Sequence, residues 1–310
     1  AGADRIYGGP GFDVLSGGTG DDVVDGGTGG FQLTGGPGAD HLGAEQGNGL
    51  IDGGAGADHV AVRDVSGSIS GGTGPDRLAG NGSLVNATFS GGAGNDEYVF
   101  GPGTQCASVF ELSGQGVDTV RTSRCVTGLE NVERVILTGD KPLAMSTGAG
   151  SQTIIGNDAA NRLSGGLHGD VMRGGGGPDL IVLGHDAFDV AEGGAGADRF
   201  LPTGTPAEAR GNLLPADAVA HRILDFNAGE GDRIILPAAV FGSTVRSLAT
   251  RFTLVSGTQP QAAEPVGTLL WNTRSGLLSF DRDGSGPITP KVIALLPLGT
   301  HPAPSMFLIR

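Results

Sequence analysis

The chain has 310 residues, 60 of them Gly and 17 Pro, which argues against an ordinary globular enzyme with one thick core. Lys and Arg total 19 against 33 Asp and Glu, a formal net charge of −14. That balance makes nucleic acid and anionic membranes poor partners, and hard cations good ones. No apolar run approaches the roughly 18 residues of a spanning helix. The first residues lack the basic start and apolar stretch of a signal peptide, so none is expected within them.

In chain order, the first feature is a repeat of nine residues. From Gly8 the chain reads GGPGFDVLS, GGTGDDVVD, GGTGGFQLT, GGPGADHLG, AEQGNGLID, GGAGADHVA, VRDVSGSIS and GGTGPDRLA. Two extra residues, Gly80 and Asn81, precede GSLVNATFS and GGAGNDEYV. The eighth position is always apolar or aromatic: Leu15, Val24, Leu33, Leu42, Ile51, Val60, Ile69, Leu78, Phe89 and Tyr98. Asp4 and Ile6 fit the same frame, so the chain opens inside a repeat, as a fragment or processed product would. Glycine at positions one, two and four suits a tight turn, and Asp at position six adds a carboxylate to it. Positions seven to nine predict a very short strand with one inward residue. Such strands bury nothing alone. Stacked at about 4.8 Å, they form two parallel sheets around a thin aliphatic core.

Residues 100–146 do not repeat and predict short strands with turns. Cys106 and Cys125 lie here. An even pair so close in sequence reads either as a disulfide, worth on the order of 3 kcal/mol, or as two buried thiols. A second array fills 147–201: TGAGSQTII, GNDAANRLS, GGLHGDVMR, GGGGPDLIV and, after the extra Leu183, GHDAFDVAE and GGAGADRFL. Residues 202–221, rich in Ala, Pro and Thr, predict a linker, and 222–310 a β-rich cap.

The pattern Gly-Gly-x-Gly-x-Asp-x-apolar-x, as in residues 53–61 (GGAGADHVA), resembles the RTX or haemolysin-type calcium-binding repeat. The resemblance implies an all-β fold: a parallel β-roll in two arrays, 1–99 and 147–201, with a β spacer and a C-terminal cap. Residues 118–136 are similar to the family's inter-array spacer. Residues 222–236 are similar to the segment that follows the arrays, and 271–286 to its closing hairpin. It also implies Ca2+ bound between stacked turns through Asp carboxylates and backbone carbonyls. One nonad is then half a coil, so turns 18 residues apart share an edge. In the first array one edge carries Asp4, Asp22, Asp40, Asp58, Asp76 and Asp96; the other carries Asp13, Phe31, Gly49, Gly67 and Ala87. Stacked carboxylates repel unless cations sit between them. The first edge is therefore expected to be a calcium ladder and the second to be metal-free beyond Asp13. The plainer alternative is that these Asp residues only stabilise turns. The carbonyls expected to assist belong to Gly20, Gly38, Gly56, Gly74, Gly94 and Gly196. In the second array one edge has Gln152, Asp170 and Asp189, the other Asn161, Asp179 and Asp198. His168 replaces a position-four glycine, and the GHDAFD turn lacks two.

Other motifs are weaker. Glu111 and Asp118 are either further ligands or solvated turn acids. Asp281, Asp283, Ser285 and Gly286 open like an EF-hand loop, but position twelve is Val292, so that reading fails and a weaker site or a polar turn remains. His41 and His59 share position seven and should stack, as a transition-metal pair or as outward side chains. No H-E-x-x-H, G-x-S-x-G or Walker A motif occurs, so an enzyme is not expected. The resemblance implies a secreted, extracellular calcium-binding structural module that folds when it meets Ca2+ outside the cell. The alternatives are a surface-assembly or adhesin module, as in an S-layer, with self-association or cell-surface contact, and the C-terminal module of a larger secreted enzyme or toxin. A polysaccharide-binding module has thin support, because outward aromatics are few.

Overall fold

A computed structural model describes residues 2–103, 105–184, 187–203, 220–237, 254–263, 267–281, 283–286 and 290–309. Most of the predicted linker and part of the GHDAFD turn lie outside the described residues. The chain divides into two compact units, 1–139 and 140–310.

The first unit has two parallel sheets. One runs Arg5–Tyr7, Val23–Asp25, His41–Ala44, His59–Arg63, Arg77–Asn81, Glu97–Phe100, Thr119–Thr122 and Arg134–Leu137. The other runs Pro10–Ser16, Thr28–Pro37, Gln46–Ala55, Val65–Thr73, Ala87–Ala93, Ala107–Val109 and Val126–Thr127. Register follows the repeat: Ile6 pairs Val24, Val24 pairs Leu42 and Leu42 pairs Val60. Position-eight side chains from both sheets make the core, with Val24, Val60, Ile69, Leu78, Phe89 and Tyr98 fully buried. The rings of Phe89 and Phe100, one from each sheet, meet edge to face at 5.0 Å.

The expectation of uniformly short strands needs correction. The first sheet has strands of three to five residues, but the second has strands of up to ten. Pairing runs on into the flanking turns: Thr28, Gly29, Gly30 and Phe31 pair with Gln46, Gly47, Asn48 and Gly49, and Gly36 and Pro37 pair with Gly54 and Ala55.

The coil does not stop where the nonads do. Tyr98 pairs Val120, and Val120 pairs Val135, so the spacer adds coils of irregular length to the same unit. A disulfide joins Cys106 and Cys125, whose Cα atoms lie 4.6 Å apart. They precede the paired residues Ala107 and Val126, so the bridge ties two neighbouring coils.

The second unit repeats the plan. Thr153–Ile155, Val171–Gly176, Val190–Ala195 and Arg222–Ile223 form one parallel run, which Lys291–Leu295 continues. Ala144–Ser146, Arg162–Ser164, Leu180–Leu183, Arg199–Pro202, Arg233–Leu236 and Phe307–Ile309 form the other. Parallel pairing then gives way to an antiparallel hairpin of Thr268–Asn272 and Leu277–Asp281, with Leu277–Asp281 also antiparallel to Lys291–Leu295. Leu269, Trp271, Leu278, Phe280 and Ile293 are buried there. The hairpin expected at 271–286 therefore starts slightly earlier. It extends the sheet past the last coil, and Leu254–Gly257, parallel to Thr268–Asn272, forms the outer edge.

Candidate metal centre

Each Asp turn is held by the next. The backbone N–H of Asp22 donates to Oδ1 of Asp40 at 2.7 Å, that of Asp40 to Asp58 at 2.8 Å, and that of Asp58 to Asp76 at 2.8 Å. Asp4 joins below through Asp22, and Asp76 above through Asp96. The ladder then continues past the nonads: Asp96 donates to Asp118, and Asp118 to Glu133. The strand register fixes the other end of each rung, because the carbonyl of Asp40 accepts from the amide of His59 and that of Asp58 from Arg77.

One oxygen of each carboxylate is thereby used. The other is not. Oδ2 of Asp22, Asp40, Asp58, Asp76 and Asp96 is sealed from solvent and has no hydrogen-bond partner. Asp22 and Asp40 are 0 % exposed, and none of the five exceeds 3 %. Buried carboxylate oxygens without donors are costly unless a cation meets them.

The glycines make the space. A methyl group at Gly53 would collide with Oδ2 of Asp58 and with the carbonyl of Gly71. Gly56, with φ +138°, lies so close to the Gly38 carbonyl that a methyl would strike that as well. Gly53→Ala is therefore expected to destabilise the calcium-loaded protein by about 3 kcal/mol or more, by overpacking and by displacing the carboxylate. Thermal unfolding in saturating calcium checks this; an unchanged midpoint would contradict it.

An internal comparison shows what the turn asks for. Asn161 stands at position six where its neighbours carry Asp. Its Oδ1 accepts from Leu143 at 3.3 Å. Its Nδ2 donates to the carbonyls of Asn157 and Ala159, at 3.2 and 2.7 Å, and to Oδ1 of Asn157 at 2.9 Å. The side of the turn facing the second side-chain atom is lined by acceptors. With Asn, an N–H fills it. With Asp at 22, 40, 58, 76 and 96 the second oxygen has no donor, and a cation is the group that would complement it. The carbonyls around Asn161 belong to Asn157 and Ala159, at positions two and four of their turn, the latter matching Gly20, Gly38, Gly56, Gly74, Gly94 and Gly196. Oxygen alone, part carboxylate and part carbonyl, suits a hard cation such as Ca2+. Among the described residues no three His, Cys, Asp or Glu side chains converge, so carbonyls must complete any such shell.

Burial pushes several carboxylates of the ladders up. Asp76 rises to about 7, chiefly by desolvation and then by Asp96 and Asp58. Asp170 and Asp179 also rise to about 7, again from burial first. Asp198 rises to about 6 for the same reason, with Asp232, Asp225 and Glu230 adding to it. A proton or a metal ion is favoured at each.

The opposite edge of the first unit is different in kind. Asp13 has the same orphaned Oδ2 beside Gly8. Beyond it Phe31 is buried, and its ring covers Gly49 so closely that a methyl there would collide. Ala87 is buried as well. Apolar packing and strand pairing take the place of carboxylates.

In the second unit both edges carry acids. Gln152 donates to Asp170, and Asp170 to Asp189, at 2.7 and 2.9 Å. Asn161 donates to Asp179, and Asp179 to Asp198, at 2.7 and 2.8 Å. Asp170, Asp179 and Asp198 keep an unpartnered Oδ2. Asp189 differs, because the amide of Gly184 occupies its Oδ2 at 2.7 Å. Past the repeats, Asp189 donates to Nδ1 of His221, and Asp198 to Asp232. Both oxygens of Asp232 are taken by backbone amides, so it ends the stack as an acceptor.

The remaining candidates separate. His41 and His59 are paired on adjacent strands, with ring centroids 5.4 Å apart. Burial, Arg77 and His41 hold His59 below its ordinary value. Asp281 is buried and raised, by burial first and then by Asp283. Sequence reasoning left out Glu133, Asp232 and His221 and gave Asp118 only a tentative role. A signal existed for one of these, Asp118: 113–118 reads SGQGVD, a turn with only the first glycine replaced.

A protein-family model described as the RTX calcium-binding nonapeptide repeat (4 copies) matches residues 1–30, 32–61 and 146–181. Those segments fall in the parallel coils just described. These segments are RTX calcium-binding repeats, and the parallel coils that hold them fit an RTX β-roll. The ladder of this β-roll runs on through Asp76 and Asp96, outside the matched segments. No curated protein matches the chain. No helix among the described residues is long and apolar enough to cross a membrane.

Proposed function

We propose that this β-roll is a secreted structural module that folds on binding Ca2+ outside the cell. The observation that carries the reading is the contrast between Asn161, whose amide donates to its turn carbonyls, and the Asp turns, whose buried Oδ2 atoms have no donor. The thin core and net charge of −14 leave little to hold the coils without cations. Binding free energy then becomes folding free energy. Low cytosolic calcium would keep the chain unfolded for export, and external calcium would fold it. The role is structural, with no reaction assigned to these residues. Far-UV circular dichroism during a calcium titration tests it. The β signal should grow with calcium and shrink markedly on chelation at neutral pH; a spectrum unchanged after exhaustive chelation contradicts it.

A second reading is surface assembly. Tyr7, Phe12 and Val14 are 66, 71 and 66 % exposed on the first strand of each sheet in the first unit. Exposed apolar side chains favour contact between copies. Sedimentation with and without calcium discriminates; a monomer in both conditions counts against assembly.

A further inference from the structure

We propose that calcium at the Asp96 turn is held by a second carboxylate, that of Glu111 from the following coil, which no nonad position supplies and which Tyr98 positions; this rests on the calcium reading above. Position eight is otherwise filled by side chains with no polar atom. Tyr98 breaks that rule while fully buried. Its hydroxyl accepts from the amide of Gly91 and donates to Oε1 of Glu111. That same amide also donates to Oε1, at 2.7 Å. Glu111 is 4 % exposed. Its Oε1 is saturated, while its Oε2 is sealed from solvent and without a partner.

Asp96 reaches the same spot from the turn. Its Oδ1 takes the amide of Asp76, and its Oδ2 is buried and unpartnered. A methyl on Gly91 would collide with that Oδ2. Two carboxylates from different coils thus converge on one glycine, each with an unpartnered oxygen. No ion pair of either with Lys, Arg or His occurs among the described residues. Two buried negative charges this close require a counter-charge, and the donors are all hard oxygen, which selects calcium over softer metals. Tyr98 is the positioning residue: its hydroxyl fixes Oε1 and leaves Oε2 for the ion. In the Asp22 turn the matching amide, that of Gly17, donates to the carbonyl of Thr34 and not to a carboxylate, so this site differs from it.

Terbium in place of calcium gives the test, because a nearby tyrosine sensitises its emission. Excitation of the full chain should give terbium emission, and the part lost in Tyr98→Phe defines the signal of this site. Glu111→Gln should reduce that part several-fold while the calcium-induced circular dichroism remains, and Tyr7→Phe should leave it intact. Undiminished Tyr98-dependent emission in Glu111→Gln overturns the proposal. Should Glu111→Gln fail to fold, anomalous scattering from terbium-soaked crystals of the unaltered chain decides. A peak between Glu111 and Asp96 supports the site. Occupied turns with nothing there overturn it alone, whereas ions absent everywhere sink the calcium reading too.

Discussion

Asp58→Asn will bind fewer calcium ions than the parent yet be more structured in chelator. Asn keeps the Oδ1 that accepts the Asp40 amide. Its Nδ2 enters the place of an Oδ2 that has no donor. Asn161 already shows the result, with its amide spread over the turn carbonyls. An uncompensated buried charge is replaced by a satisfied donor, worth about 1–3 kcal/mol in the metal-free state. In saturating calcium the sign reverses. The parent gains the binding energy of an ion that the variant has lost, and by linkage falls behind by about 1.4 kcal/mol for each tenfold of affinity forfeited. Asp58→Ala, which removes both oxygens, should be destabilised in both conditions. Calorimetric ion counting and denaturant melts in calcium and in chelator check this. An Asn variant weaker than the parent in chelator would contradict it.

Acid will partly replace calcium. In the metal-free roll Asp76, Asp170 and Asp179 are raised from 3.8 to about 7 by burial. A carboxyl whose value is higher folded than unfolded holds its proton better when folded. It therefore stabilises the fold fully below 3.8, and the contribution is lost as pH rises through about 7. Asp40, Asp58 and Asp96 shift in the same direction, also by burial first. In chelator the thermal midpoint should fall as pH rises across that window. In saturating calcium the dependence should be much weaker at neutral pH, because the ion already compensates the charge. A midpoint in chelator that rises with pH over the same range would contradict the electrostatic account.

The coil and its ladder were legible because a nonad states both halves of the structure: an apolar residue for the sheet and a Gly-x-Asp turn for the edge. Sorting Asp4 to Asp96 against Phe31, Gly49 and Gly67 gave the one-sided first unit directly. The long strands of the second sheet were less legible, since a glycine-rich stretch such as 28–31 reads as a turn until its neighbour, 46–49, lies alongside. The ladder beyond Asp96 was hidden by coil length: Asp118 follows by 22 residues and Glu133 by another 15. Asp232 was hidden by a longer excursion, 34 residues after Asp198. Glu111 has no pattern at all. Only the fold brings it to Gly91, through a tyrosine placed where an aliphatic residue would serve the core as well.

The most direct measurement is a crystal structure in saturating calcium, with ions assigned by anomalous scattering along each edge. The account predicts peaks beside the orphaned oxygens of Asp22, Asp40, Asp58, Asp76 and Asp96 and on both edges of the second unit, and none at the turns of Phe31, Gly49 and Gly67. Peaks as dense on that apolar edge as on the Asp edge, or an Asp edge with no ions, would contradict it.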